Sequence, residues 1–519
     1  MGLLSIQFYI FFLIVLTVYY LLPGKCQWMW LLAASLFYYF TNSNIQQLIV
    51  FACIIIINFI GSRFFSGGNN KRGFYVLLIF NIALLIFLKY PELIQSVSAL
   101  ILKPFSVSFS LSAYKSLTRL LCPMGISYFM LILIGYLTSV YWGLISPVGN
   151  PLKLTLFVSF FPMMTSGPII GYNETGKYFF TPEKKHFSYE HLVKGALRVL
   201  WGIFKKLVIS ERLAIAVNTI YGYYETYTGL YIFLAAALFT LQLYTDFSGL
   251  MDIVLGLSET LGITLPENFR TPFYASTLAE FWRRWHITLG EWLRTYVFYP
   301  LQRSGPIRKL RKKLKTKLGK DFEKKYNIPV YISLLLTWVL IGFWHGGSLK
   351  YIFGVGIYMG VIIMLSDLLQ PVFGRLVRFA RINTECFSYR LFTRIRTFIL
   401  FMVGNSFFRA ERITDGFKMW KYAFSRFNPW ILFDGSLYSL GLDRTEIMIC
   451  FTGLLLLFIV SLYNHREELA GSGLSVRDLI FRQNFVFQLM VFAFLFAAIL
   501  AWAHYGTEFE AQNFIYGAF

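Results

Sequence analysis

Thirteen residues hold much of the reactive chemistry of an otherwise apolar chain: EFWRRWHITLGEW, Glu280 to Trp292. They gather Glu280, Arg283, Arg284 and His286 among the tryptophans Trp282, Trp285 and Trp292. A second concentration is IGFWHGGS, where Trp344, His345 and Gly346 close an apolar run that starts near Asn327. Both centre on histidine. An ordinary pKa of about 6.5 lets an imidazole take up and return a proton near neutrality, which is general acid–base chemistry.

Read as one helix, the first segment puts Trp282 and His286 on one face at i,i+4, with Arg283 beside them. Glu280 and Arg284 pair at the same spacing. Phe281 and Trp285 form a second aromatic ledge. Such a helix suits the lining of a cavity. Taken alone, it reads first as an interfacial anchor of Trp and Arg. His345 follows about 27 Å of helix counted from Asn327, which carries it to membrane depth. Gly342, Gly346 and Gly347 around it allow close approach of backbone or ligand. An ionisable group at that depth usually faces a cavity; the alternative is a hydrogen-bonded histidine that only packs helices. The other four histidines are less promising. His186 and His191 sit in the polar stretch FTPEKKHFSYEHL, His465 opens the charged loop NHREEL, and His504 ends the last apolar run.

The elements that must position these groups are membrane helices. The chain has 519 residues, 57% hydrophobic, 19% aromatic and 14% charged. A soluble domain carries roughly 25% charged residues. Apolar runs recur from Leu3–Leu22 to Phe485–Trp502, and we expect an all-α polytopic membrane protein of about eleven transmembrane helices. Only Met1 and Gly2 precede the first run and Pro23-Gly24-Lys25-Cys26 follows it, so it is expected to stay as a span rather than be cleaved.

The net charge of +22 sits in short connections between spans, the positive-inside pattern. The strongest block, Arg303 to Tyr326, has eleven Lys or Arg against Asp321 and Glu323. It reads first as a cytoplasmic loop on anionic lipid, and second as a docking surface for an acidic cytosolic donor. With Arg63–Arg72, Arg303–Lys325 and Arg375–Arg396 all cytoplasmic, both termini are expected outside the cytoplasm in a multi-pass cell-membrane protein. Ile328–Leu365 then goes out and returns.

Several chemistries find no support. Cys26, Cys53, Cys122, Cys386 and Cys450 form no CxxC pair, and no metal site is expected. There is no GxGxxG, P-loop, GxSxG or HExxH. Asp246 and Asp252 lie about 240° apart around an ideal helix, so they are not a paired-carboxylate site.

The segment from Thr240 to Leu301, with its PENF and FWRRWH motifs, resembles the membrane-bound O-acyltransferase superfamily, most of all the bacterial branch typified by the alginate O-acetylation membrane protein. The likeness continues in FFPMMTSGPIIGY (Phe160–Tyr172), FWHG (Phe343–Gly346), SFFRA (Ser406–Ala410) and YGTEFEAQNFIY (Tyr505–Tyr516). The resemblance implies one integral membrane domain over residues 1–519, with a signature core at 155–370. It implies a ring of tilted helices around a central tunnel. His345 matches the histidine treated as catalytic and His286 the second histidine of the signature. Trp344 and Gly346 flank the former; Arg283, Arg284 and Trp285 belong to the latter motif as donor- or substrate-binding candidates. The implied reaction moves an acyl group, acetyl from cytosolic acetyl-CoA, to a hydroxyl of an extracytoplasmic polysaccharide or of an SGNH-type relay partner, with CoA or a carrier protein as donor. The branch that exports D-alanine to teichoic acids is the alternative within the family; a non-catalytic transporter is the alternative outside it. The loop between the histidine motifs is longer and more basic than the resemblance to the alginate branch leads us to expect, which bears on the identity of donor and acceptor rather than on the class of chemistry.

Overall fold

The computed structural model describes residues 1–91, 93–95, 98, 110–181, 183–319, 326–504 and 515. Among them the chain is helical throughout; the one β-type pairing is an isolated bridge between Phe269 and Trp285. Seven helices are long and apolar enough to cross a membrane, or eight if the bent pair Leu111–Leu121 and Ile126–Tyr141, 65° apart, forms one span. The protein is a multi-pass membrane protein. Among the described residues, length and composition do not by themselves confirm the expected count of eleven. Ile6–Leu21 and Ile328–Trp344 are apolar but have 16 and 17 residues, about 24–26 Å of helix against a hydrocarbon core of about 30 Å.

Two compact units divide the chain. The first comprises Met1–Leu200 with Leu250–Pro266; the second comprises Trp201–Gly249 with Glu267–Ile515.

In the first unit, polar groups fasten helices that lipid cannot drive together. Asn58 and Asn81, both fully buried, exchange side-chain hydrogen bonds at 3.0 and 2.7 Å between the helices Ile45–Phe64 and Lys71–Lys89. Arg198 Nε donates to Asp252 Oδ1 at 2.9 Å. Small residues allow close crossing: a Cβ on Gly195 would lie 2.6 Å from the Gly256 carbonyl oxygen. Phe161, in the FFPMMTSGPIIGY stretch, donates its N–H to Ser35 Oγ at 3.1 Å.

In the second unit, Phe204–Ser210 is a π-helical turn, a geometry that wedges an extra residue into a helix. Gly249 lets the neighbouring segment come close, since a Cβ there would lie 2.8 Å from the Gly202 carbonyl oxygen. The helix Ile328–Trp344 ends at His345; Gly346 and Gly347, at φ 155° and 73°, reverse the chain. The returning π-turn Ile352–Tyr358 packs so tightly that a Cβ on Gly342 would sit 2.6 Å from the Tyr351 carbonyl oxygen. The basic segment is not a loop. Gly305–Leu318 is a helix started by Pro306, with Ile307 buried, Leu310 and Leu314 half-buried and its lysines exposed. The i, i+3, i+7 spacing of those three apolar residues is what makes it helical and amphipathic. Residues 320–325 of the block lie outside the described residues.

Candidate active site

The Glu280–Trp292 segment is not one helix. Leu278–Arg284 ends, Trp285 is extended at φ −117° and ψ 129°, His286 is left-handed at φ 47°, and Ile287–Leu293 begins a second helix. Trp282 and His286 therefore do not share a helical face. The cause is pairing with the preceding PENF stretch. Phe269 bridges Trp285, the Arg270 N–H donates to the Arg284 carbonyl at 2.9 Å, and the Ile287 N–H donates to the Asn268 carbonyl at 3.1 Å. Those bonds replace helical ones that the chain gives up at the break. Left-handed backbone at a residue other than glycine costs energy and is common at functional sites.

Asn268 also holds the break through its side chain. Its Oδ1 accepts from the Thr288 N–H at 3.1 Å and the Thr288 hydroxyl at 3.0 Å, and lies 3.3 Å from His286 Nδ1. Asn268 and His286 are buried, 1% and 2% exposed. Phe247 stands edge-on to His286 with ring centroids 4.8 Å apart.

The two histidines meet across one tryptophan. The Trp344 ring centroid lies 6.1 Å from that of His286 and 5.0 Å from that of His345. His345 is also buried, with Phe408 of SFFRA edge-on at 5.7 Å. Gly346 is shaped by Tyr351, whose ring would lie 2.4 Å from a Cβ at that position.

The remaining residues singled out from sequence fall elsewhere. Trp285 is buried in an aromatic cluster, 5.1 Å from Phe401 and 5.5 Å from Phe281. Arg284 pairs with Glu280 at 3.0 Å, as its spacing requires, and with Glu468 at 2.9 Å. Arg283 is exposed. His465 is not in a loop; it lies inside the helix Arg444–Leu469, stacked on Tyr274 at 4.2 Å, because the helix runs through NHREEL. His186 and His191 are exposed. His504 Nε2 lies 3.0 Å from Glu446 Oε1. Of the YGTEFEAQNFIY stretch only Ile515 is among the described residues, and its N–H donates to Asp246 Oδ2 at 2.8 Å.

Sequence reasoning missed three parts of this arrangement. Asn268 lies in the PENF motif, which by itself gives it no role. Phe247 and Phe408 carry no chemistry of their own and reveal themselves only as walls. Lys206, between Asp246 and Glu211, gave no signal because Asp246 lies 40 residues away and Glu211, at i+5, falls outside the regular helical pair spacings. Among the described residues no cluster of His, Cys, Asp or Glu could hold a metal ion.

Residues 146–316, which include His286 and its motif, match the model of the membrane-bound O-acyltransferase family. The chain carries a membrane-bound O-acyltransferase domain. It is 29% identical over 360 residues to a probable alginate O-acetylase of Pseudomonas syringae pv. tomato, covering 69% of this chain and 62% of that relative. It is 29% identical over 468 residues to a probable alginate O-acetylase of Azotobacter vinelandii, covering 89% and 84%. It is 28% identical over 376 residues to a peptidoglycan O-acetyltransferase of Helicobacter pylori, covering 68% and 64%. The match thus spans under two thirds of the first and third of these relatives.

Proposed function

We propose that the protein is an O-acyltransferase that moves an acyl group, acetyl from a cytosolic thioester such as acetyl-CoA, to a hydroxyl on an extracytoplasmic polysaccharide or on a relay partner of the SGNH type. The observation that carries this reading is the pairing of two buried histidines, His286 and His345, across Trp344 in a chain with this family's domain. The names of the relatives point to polysaccharide and peptidoglycan as acceptor classes. We treat residues 1–519 as one functional domain with its core at 155–370.

The chemistry runs as acyl transfer. His345 takes the proton of the acceptor hydroxyl as the oxygen attacks the thioester carbonyl. A C–O bond forms, the C–S bond breaks, and the proton passes from the imidazolium to the departing thiolate. The products are an ester and a free thiol, and no further reactant is needed. His286 orients the reacting groups. Trp344, Phe247 and Phe408 keep water away, which strengthens every electrostatic contact in the site. Gly346 fixes the turn that presents His345. Arg284 holds the segment in place through its two carboxylate partners, and exposed Arg283 is left to meet the donor's phosphates.

The test is transfer of radiolabelled acetyl from acetyl-CoA by the purified protein in lipid nanodiscs, with alginate and peptidoglycan fragments as acceptors. Label appearing in either polymer supports the reading. Thioester hydrolysis alone, or no reaction with an acceptor or with a co-purified partner, defeats it.

A further inference from the structure

A histidine can act from either ring nitrogen, and which one carries the proton is set by the partner of the other. For His286 that partner is Asn268. An amide side chain offers an acceptor at one end and a donor at the other, and the two are told apart only by their neighbours. Here the neighbours decide. The Thr288 backbone N–H, 3.1 Å away, is a donor in every protonation state, so the atom facing it is the amide oxygen. The Thr288 hydroxyl donates to the same oxygen at 3.0 Å. Turning the amide over would aim its NH2 group at a backbone N–H. The oxygen is therefore fixed, and it also faces His286 Nδ1 at 3.3 Å. A bare Nδ1 would put its lone pair against oxygen lone pairs. A protonated Nδ1 gives a hydrogen bond, the third and longest on this oxygen.

We propose that Asn268 is the positioning residue of His286: its side-chain oxygen holds the imidazole in the Nδ1–H form, which leaves Nε2 with its lone pair as the working atom. This rests on the acyl-transfer reading for its purpose, though not for its geometry. It assigns His286 a task. A nitrogen bearing a lone pair accepts a proton or a hydroxyl hydrogen bond; it cannot donate to a carbonyl oxygen. The local chain is built around this bond. The Asn268 carbonyl takes the Ile287 N–H at 3.1 Å while its side chain takes the Thr288 N–H, so one residue holds both amides that follow His286. The left-handed His286 backbone, φ 47°, is what brings Nδ1 round to that oxygen. Phe247 and Trp344, which pack against His286, are uncharged, and His345 stands on the far side of Trp344.

Nitrogen NMR of histidine-labelled full-length protein in nanodiscs tests this without any acyl transfer. The His286 signal is identified by its loss in His286→Gln. The expected wild-type pattern is that of a protonated Nδ1 and a bare Nε2. Asn268→Ala should move His286 toward the Nε2–H form. Asn268→Asp keeps an acceptor in place, so it should keep the Nδ1–H form and shift the alkaline-going limb of the pH–rate profile upward, since a carboxylate favours the imidazolium. A wild-type His286 in the Nε2–H form, or a tautomer indifferent to Asn268→Ala in protein that still folds, overturns the proposal. If Asn268→Ala does not fold, the wild-type spectrum and the Asp variant decide alone. Correct tautomers in a protein that transfers no acetyl would leave this inference standing and remove the function.

Discussion

Lys206 places its ammonium 2.7 Å from Asp246 Oδ1, and both side chains are almost fully buried. Glu211 Oε1 lies at the same 2.7 Å from that ammonium. Asp246 immediately precedes Phe247, the wall of His286, and Lys205 donates to Ser248 on its other side at 2.8 Å. Two consecutive lysines of one π-turn thus hold the residues flanking Phe247. Removing one member of a buried pair costs about 3–5 kcal/mol, because it strands the other charge. Lys206→Met should therefore lower stability by about that amount, read as a fall in thermal midpoint in nanodiscs. Lys206→Met with Asp246→Leu and Glu211→Leu should recover most of it. A single variant as stable as wild type would remove the triad from the fold's support.

His345→Ala should abolish acyl transfer while leaving membrane expression unchanged. His286→Ala should lower kcat/KM by about 10²-fold or more, in line with the usual contribution of a positioned acid–base group. Near-normal polymer acylation by His345→Ala would take that residue out of the mechanism.

Gly346→Ala is expected to slow the reaction as well, by a different route. Its φ of 155° disfavours a side chain, and the new Cβ would press on the Tyr351 ring. Strain of about 1–3 kcal/mol at this turn displaces His345 beside it. Gly374→Ala is the control, because nothing lies within 4 Å of its Cβ position. Equal activity in both variants would show that the turn tolerates the methyl group.

How much of this was legible beforehand divides along physical lines. The helical membrane class was legible because apolar composition over long runs admits few other solutions. His286 and His345 stood out because ionisable groups are scarce in such a chain. The break at Trp285–His286 was not legible. Periodicity favours a continuous helix there, and what breaks it is a backbone pairing with Asn268 and Phe269. That is a tertiary effect, invisible to local pattern. The number of spans is less legible, because apolar helices of 16 and 17 residues such as Ile6–Leu21 and Ile328–Trp344 sit at the edge of what length and composition can assign. The Lys206 triad was illegible because Asp246 is 40 residues from Lys206, and Glu211, at i+5 across a π-turn, is not one of the i,i+3 or i,i+4 pairs that sequence spacing reveals.

Lys185, in the first unit, gives a pH prediction. Lys185 Nζ donates to the Gly262 carbonyl at 2.8 Å and the Tyr178 carbonyl at 2.5 Å. Burial lowers its pKa from 10.5 to about 8. Between about pH 8 and about 10.4 the unfolded chain therefore holds a proton that the folded protein has released, so this group makes stability rise with pH across that window. Below it both states are protonated and the dependence vanishes. Unfolding midpoints of wild type and Lys185→Met, compared from pH 7 to 10, should diverge in slope above pH 8; parallel curves would mean that Lys185 titrates normally.

The helix Gly305–Leu318 turns its cations outward: Arg308, Lys309, Lys312, Lys313, Lys315 and Lys317 are all exposed. Basic residues near an anionic surface each contribute about 1 kcal/mol of attraction, which salt screens. A protein already held by several spans gains no anchorage from that. An anionic donor such as CoA or a carrier protein would gain capture at the membrane face. Neutralising Lys312, Lys313, Lys315 and Lys317 together to Gln should then raise the apparent KM for acetyl-CoA more than it lowers kcat, since these lysines are exposed while His286 and His345 are buried. Neutral-lipid nanodiscs separate this from lipid attraction, because no anionic headgroup is present to compete. Raising salt should narrow the difference between wild type and the quadruple variant. An unchanged donor KM in neutral lipid would leave the helix with a topological role: holding its flank of the protein on the cytoplasmic side.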